Sequence, residues 1–289
     1  MPLAAWMPLK GLASAPTLSA AGLRIVDIEP STLDEARALA AKTVNEDETL
    51  RAGAALVATD TTVEGAEHRL QRYLAVMLLV KDHPWARWVV LTGPDGPSPP
   101  TSSLSISGER LWSGSPPWIQ EDFAKADRLF TALWPFIREY RHEHLPPPDQ
   151  RRLARSLNWW HVAHTNPEGT LRIPIVVTAI EALLSVDTHD NTRKFARRLA
   201  ALLAVPGDAQ RLYDQAKVTY TVRSKLLHGE PFADFESVIP GTSEAVFGWY
   251  RRLIDVLAVN GRLGDVNDHM ACKVFVASLD KDIAGLVKP

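Results

Sequence analysis

An arginine and a histidine lie five residues apart near the end of one helical segment, at Arg223 and His228. In the segment 208–228, apolar side chains recur with the period of an amphipathic helix. Arg223 falls on that apolar face, which also carries Leu212, Ala216, Tyr220 and Leu227. Because an unpaired buried guanidinium is strongly unfavourable, Arg223 needs a carboxylate, a phosphate or a water-filled cleft. His228 can exchange a proton near neutral pH. Together the two residues predict a site that handles phosphodiesters.

The predicted partner of Arg223 is Glu181. This residue lies at the edge of the apolar face of the segment 171–186, about 40° beyond Val177. A carboxylate and a guanidinium at a core boundary each offset the desolvation of the other, and the pair can form two hydrogen bonds. The alternative interpretation is a structural ion pair with no further role.

Gly229 follows His228 and is predicted to end the helix in a left-handed conformation. Side chains five residues apart on a regular helix point about 140° apart, so one such helix cannot aim both at a single phosphate. Either the helix end unwinds or a second subunit contributes. Alternatively, His228 interacts only with the last carbonyls of its own helix.

The chain contains further Arg-x(4–6)-His pairs that lack these supporting features, namely Arg138/His144, Arg155/His161 and Arg262/His269.

Composition narrows the possible partners. With a formal net charge of −2 the chain has no overall attraction to nucleic acid, so RNA contact requires a local basic patch. The candidates are Arg193, Lys194, Arg197, Arg198 and Lys225. The alternative is that the run 193–198 is a solvated helix face, because it lies opposite Phe195, Leu199 and Leu202.

No cofactor, metal site or membrane span is predicted. Cys272 is the only cysteine, which excludes a disulfide framework and a cysteine-based metal site. The pairs His142/His144 and His161/His164 lack acidic partners at a metal-binding spacing. No run of about 18 apolar residues is present. We therefore expect a cytoplasmic protein.

The fold class is predicted to be mainly α. Residues 1–115 predict a smaller mixed α/β region of unknown role, with strands at 22–28 and 88–92, a strand pair at 103–112 and a helix at 62–81. Residues 1–20 predict a disordered leader, with a secretory signal as the alternative. From residue 118 onward the pattern predicts an all-α bundle. Its expected helices span 119–141, 148–165, 171–186, 191–204, 208–228, 243–262 and 268–286.

The runs 180–184, 195–203 and 222–229 resemble the HEPN superfamily, most closely its Apea-like branch. The resemblance covers about residues 118–262 of the predicted domain 118–289. Its most specific parts are Arg-Ser-x-x-x-His-Gly from Arg223 and the upstream Glu-x-Leu-Leu from Glu181. It implies a dimeric helical bundle and a metal-independent endoribonuclease of the bacterial defence or toxin type, with a cognate inhibitor or activator as a further partner. Arg223 would hold the scissile phosphate, His228 would act as general acid/base, Ser224 would support the motif, and Glu181 would orient Arg223. RNA cleavage without a metal needs a base, an acid and a cation at phosphorus. On this resemblance His228 and Arg223 would fill two of these roles in each subunit, and a symmetric dimer would supply a second histidine. The expected products are a 2′,3′-cyclic phosphate and a 5′-hydroxyl.

Two other functions remain open. The first is a non-catalytic HEPN module that binds RNA, a nucleotide or a partner protein. In the second, residues 1–115 sense a ligand and the bundle serves only to dimerise.

Overall fold

The computed structural model describes residues 3–10, 18, 23–27, 52–60, 63–81, 90–93, 96–97, 118–138, 151–166, 169–186, 189–230, 235–283 and 285–287. This part of the chain is mainly α, as predicted. The chain divides into two compact units, Met1–Ala132 and Leu133–Pro289. No helix of the described residues is long and apolar enough to cross a membrane.

Within the described residues, the first unit contains five strands, one complete helix and the first part of another. The strands are β1 Leu3–Lys10, β2 Leu23–Asp27, β3 Ala52–Asp60, β4 Val90–Gly93 and β5 Gly96–Pro97, and the helix is α1 Val63–Val80. The sheet order is β2-β3-β1-β4-β5, with antiparallel neighbours. β1 lies in the middle of the sheet, within the stretch 1–20 for which a disordered leader is predicted. Apart from residue 18, the rest of that stretch lies outside the described residues, and so does the predicted strand pair at 103–112.

Helix α1 packs against β1 and β3 and buries an apolar face that includes Leu70, Leu74 and Met77. Tyr73 on the same helix donates a hydrogen bond of 2.7 Å to the carboxylate of Asp127, which lies on α2 Gln120–Ile137. Burial and the neighbouring Asp127 raise the pKa of Tyr73 well above its ordinary range. This buried pair fixes α1 against the first part of α2 within the unit.

The second unit is a helical bundle built around one apolar helix. After the end of α2 its helices are α3 Arg152–Thr165, α4 Gly169–Leu184, α5 Asn191–Leu203, α6 Ala209–His228, α7 Phe235–Val259, α8 Leu263–Asn267 and α9 His269–Asp282. α4 contacts each of the helices α3 to α9. A helix that is apolar around most of its circumference must be covered on most sides, which explains its central position.

The bundle departs from the predicted helix boundaries in its last third. α7 begins at Phe235 rather than at 243, and it continues through Pro240 even though proline removes one backbone donor. Ser243 therefore lies inside the helix and is not its N-cap. The predicted segment 268–286 is the shorter helix α9, and the carboxylate of Asp268 caps it by accepting from the backbone NH of Ala271 at 2.8 Å.

The C-terminal end of α4 is held by side chains from three other segments. Backbone carbonyls at a helix end lack partners within the helix and need donors from elsewhere. The donors are Cys272 Sγ to the oxygen of Leu183 at 3.1 Å, Arg198 Nη1 to that of Leu184 at 2.7 Å, and Arg152 Nη2 to that of Ser185 at 2.8 Å. Cations are also favoured at this end of the helix dipole. Glu181 lies within one turn of this fixed end.

Candidate active site

Glu181 on α4 lies between two side chains of α6, Tyr220 and Arg223. Arg223 donates from Nη2 to Oε2 of Glu181 at 3.1 Å, and the Tyr220 hydroxyl donates to Oε1 at 2.7 Å. Tyr220 and Arg223 are three residues apart and therefore share one face of the helix. The guanidinium carbon is 5.3 Å from the centre of the Tyr220 ring, within the range of a cation–π contact. The structure thus brings the two predicted partners together and adds a tyrosine.

Arg223 uses little of its bonding capacity. Its side chain is 23% exposed, against 16% for Glu181, so the ion pair is open to solvent on one side. A guanidinium has five N–H donors. Among the residues that the structure describes, Arg223 hydrogen-bonds only to Glu181, and its Nε is buried without an acceptor. The guanidinium retains the capacity to bind a second anion.

Burial and the hydrogen bond to Glu181 raise the pKa of Tyr220 to about 12, whereas Arg223 and Asn191 act in the opposite direction. The hydroxyl is therefore protonated at neutral pH and acts as a donor toward Glu181. Phe195 packs against the Tyr220 ring at 5.3 Å between ring centres and holds it in place. The sequence placed Tyr220 on the apolar face of α6 but gave no role to its hydroxyl.

His228 is the last residue of α6 and is exposed. Gly229 has a φ of +67° and a ψ of 23°, the left-handed conformation expected at this helix end. Because α6 stays regular through His228, its side chain and that of Arg223 point about 140° apart around the helix. The helix end does not unwind to bring the two side chains together.

The other motif residues on α6 lie at the edge of the core. Ser224 and Lys225 are half-buried, and Leu227 is 52% exposed. The apolar face predicted to continue through Leu227 is buried as far as Tyr220 and only partly at Arg223. The last turn of α6 therefore presents His228 and an apolar side chain to solvent.

The basic run on α5 is not a uniform solvated face. Arg198 is 3% exposed, pairs with Asp280 at 2.9 Å and bonds to the carbonyl of Leu184. Its donors are therefore used inside the bundle, and the prediction that Arg198 contacts RNA is wrong. Arg197 is half-buried and bonds to the backbone of Asp280 at 2.7 Å. Only Arg193 is exposed, with Lys194 half-buried beside it.

The other candidate groups have local roles. Arg262 immediately precedes α8, pairs with Asp265 at 2.8 Å and lies over the Phe275 ring. His164 is buried, with Nδ1 2.9 Å from the carbonyl oxygen of Trp160. No group of three or more histidine, cysteine or acidic side chains is placed to hold a metal ion within the described ranges. His142 and His144 lie outside those ranges.

The chain was compared with models of protein families, with curated proteins and with solved structures, and none of them matches it. The HEPN resemblance therefore remains a prediction based on the motifs around Glu181 and Arg223.

Proposed function

We propose that the chain is a metal-independent endoribonuclease of the HEPN type, belonging to the bacterial defence or toxin class. We propose that it acts as a homodimer in the cytoplasm. Arg223 binds the scissile phosphate, His228 transfers the proton, and Glu181 orients Arg223. Ser224 supports the motif from the adjacent position. Arg193, Lys194 and Lys225 are the basic side chains proposed to contact the RNA backbone.

The proposal is supported mainly by Arg223, whose guanidinium is only partly hydrogen-bonded and lies near the same helix end as the exposed His228. A purely structural arginine near a core is usually bonded through several of its donors. Among the described residues, Arg223 forms a single hydrogen bond, to Glu181, and its side chain is 23% exposed. This arrangement leaves both charge and donors for a phosphate.

The direction of the two side chains supports the proposed dimer. His228 points about 140° away from Arg223 around α6, and the helix remains regular to its end. A two-fold axis near the last turn of α6 would place His228 of each subunit at a cleft shared by both. The exposed Leu227 beside it supplies apolar surface for such a contact.

The chemistry requires two proton transfers and one cation. One histidine, as base, accepts the ribose 2′-hydroxyl proton, and the 2′-oxygen attacks phosphorus. The bond to the 5′-oxygen breaks, and that oxygen takes a proton from the second histidine in its imidazolium form. Arg223 stabilises the additional negative charge on the phosphoryl oxygens. The products are a 2′,3′-cyclic phosphate and a 5′-hydroxyl.

The test compares RNA cleavage in EDTA by the parent chain, His228→Ala and His269→Ala. His228→Ala is expected to lower the cleavage rate at least about 100-fold, which is the usual contribution of a general acid/base. His228 is exposed, so its removal should change the free energy of unfolding by less than about 0.5 kcal/mol. His269 belongs to another Arg-x(4–6)-His pair, so His269→Ala is the matched control, and this variant should cleave RNA at the rate of the parent. Equal rates for His228→Ala and the parent would refute the catalytic role.

The non-catalytic module is the second candidate, because the cluster of Glu181, Tyr220 and Arg223 would also stabilise the packing of α4 on α6. In that case Arg223→Ala destabilises the bundle, His228→Ala has no effect, and no RNA is cleaved with EDTA present. Binding of RNA, a nucleotide or a partner protein would then be the function.

A further inference from the structure

The Tyr220 hydroxyl occupies one of the two oxygens of Glu181. A carboxylate and a guanidinium commonly form two parallel hydrogen bonds. Here Oε1 of Glu181 accepts from Tyr220 at 2.7 Å, and Oε2 accepts from Nη2 of Arg223 at the longer distance of 3.1 Å. Nε of Arg223 remains buried, with no acceptor among the residues that the structure describes. The ion pair therefore stops at a single hydrogen bond.

We propose that Tyr220 is a positioning residue that prevents Glu181 from pairing fully with Arg223 and so keeps the guanidinium available for a phosphate of the RNA backbone. The RNA part of this inference rests on the proposed function. Tyr220 acts through Glu181 and is not proposed to touch the substrate.

The physical reason lies in the competition for one carboxylate. A guanidinium held by two hydrogen bonds to a carboxylate is largely neutralised and attracts a second anion less strongly. Tyr220 stabilises the same carboxylate with a neutral donor, which leaves the charge of Arg223 less compensated. Its ring also lies 5.3 Å from the guanidinium carbon and supports the plane of the group.

Removing only the hydroxyl should let the pair close. In Tyr220→Phe the aromatic ring stays, and Oε1 of Glu181 is free to accept from Nε–H of Arg223. Closure is favourable because a buried donor without an acceptor carries a desolvation cost that the new bond removes. The same change at Tyr213 is the matched control, because this tyrosine is also buried on α6 and its hydroxyl has no partner in the described part of the chain.

The test is an NMR titration with inorganic phosphate, followed at the Nε–Hε signal of Arg223 in arginine-labelled protein. Arg223→Lys identifies the signal. In Tyr220→Phe the free signal should move downfield, and phosphate should bind about tenfold more weakly than to the parent, as expected when one charged hydrogen bond competes for the group. Tyr213→Phe should match the parent in both respects.

A parent protein in which phosphate leaves the Arg223 signal unmoved would overturn the inference. So would the same signal position or the same phosphate dissociation constant in Tyr220→Phe and the parent. If RNA is cleaved, Tyr220→Phe should raise KM about tenfold with a smaller effect on kcat, whereas a general loss of structure would lower kcat through the amount of folded enzyme. If no RNA is cleaved, the proposed function fails while the phosphate titration still decides the role of Tyr220.

Discussion

Arg198 on α5 is buried inside the bundle, and its replacement by methionine removes every polar contact that it makes there. Nη1 bonds to the carbonyl of Leu184 at 2.7 Å, and Nη2 and Nε bond to the carboxylate of Asp280 at 2.9 and 3.2 Å. Methionine is unbranched and apolar, so Arg198→Met keeps most of the packing volume. The variant tests whether this arginine fixes the end of α4 or faces a ligand.

The size of the effect follows from what is left behind. The carbonyl of Leu184 loses a buried partner, at a cost of about 1–3 kcal/mol. Removing one member of a fully buried ion pair costs about 3–5 kcal/mol. Asp280 is 28% exposed and can be rehydrated, so only part of that cost applies. We expect a loss of about 3 kcal/mol in the free energy of unfolding, or roughly 6–12 °C in Tm for a unit of this size.

Thermal unfolding of Arg198→Met and Arg193→Met measures this difference. Arg193 is exposed on the same helix, so its replacement should change stability by less than about 0.5 kcal/mol. If Arg198→Met is as stable as Arg193→Met and instead loses affinity for RNA, the claim that Arg198 is enclosed in the bundle and stabilises it is refuted.

Three further predictions concern single groups. Because the pKa of Tyr220 is raised to about 12 in the folded chain, its contribution to stability is complete below the ordinary value near 10 and is lost as pH rises toward 12. In urea unfolding, Tyr220→Phe should therefore reduce the fall in the free energy of unfolding between pH 10 and 12. The same fall in Tyr220→Phe and the parent would contradict this prediction. Burial raises the pKa of the Cys272 thiol, so it should react with a disulfide reagent at pH 8 far more slowly in native protein than in urea; equal rates would mean that the thiol is accessible. Asp268→Ala should cost about 1 kcal/mol through loss of the α9 cap, while Asp268→Asn keeps an acceptor and should cost less; equal losses in thermal unfolding would argue against the cap.

Helical periodicity predicted the elements of the bundle and the contact between Glu181 and Arg223. Both residues lie at positions that a 3.6-residue repeat turns toward the core, and their opposite charges give one energetic reason to meet. The left-handed conformation of Gly229 could also be predicted from the local sequence, because glycine is strongly preferred in that conformation at a helix end. These features depend on neighbours along one helix, or on two helices with opposite charges at the edges of their buried faces.

The remaining features depend on contacts that no local pattern encodes. Arg198 lies on α5 among other basic residues, and nothing near it in sequence shows that Asp280 and the carbonyl of Leu184 will enclose it. The hydroxyl of Tyr220 has several possible partners until the packing of α4 on α6 is known. The start of α7 was misplaced because Pro240 and Gly241 resemble a helix break, although a covered helix can tolerate the loss of one backbone bond.

The proposed ribonuclease activity is tested most directly by analysing the ends produced when the purified chain cleaves a labelled RNA in EDTA. We expect 2′,3′-cyclic phosphate and 5′-hydroxyl ends with the parent and with His269→Ala, and none above background with His228→Ala. Intact RNA with the parent, or the same ends in the same yield from His228→Ala, would contradict it.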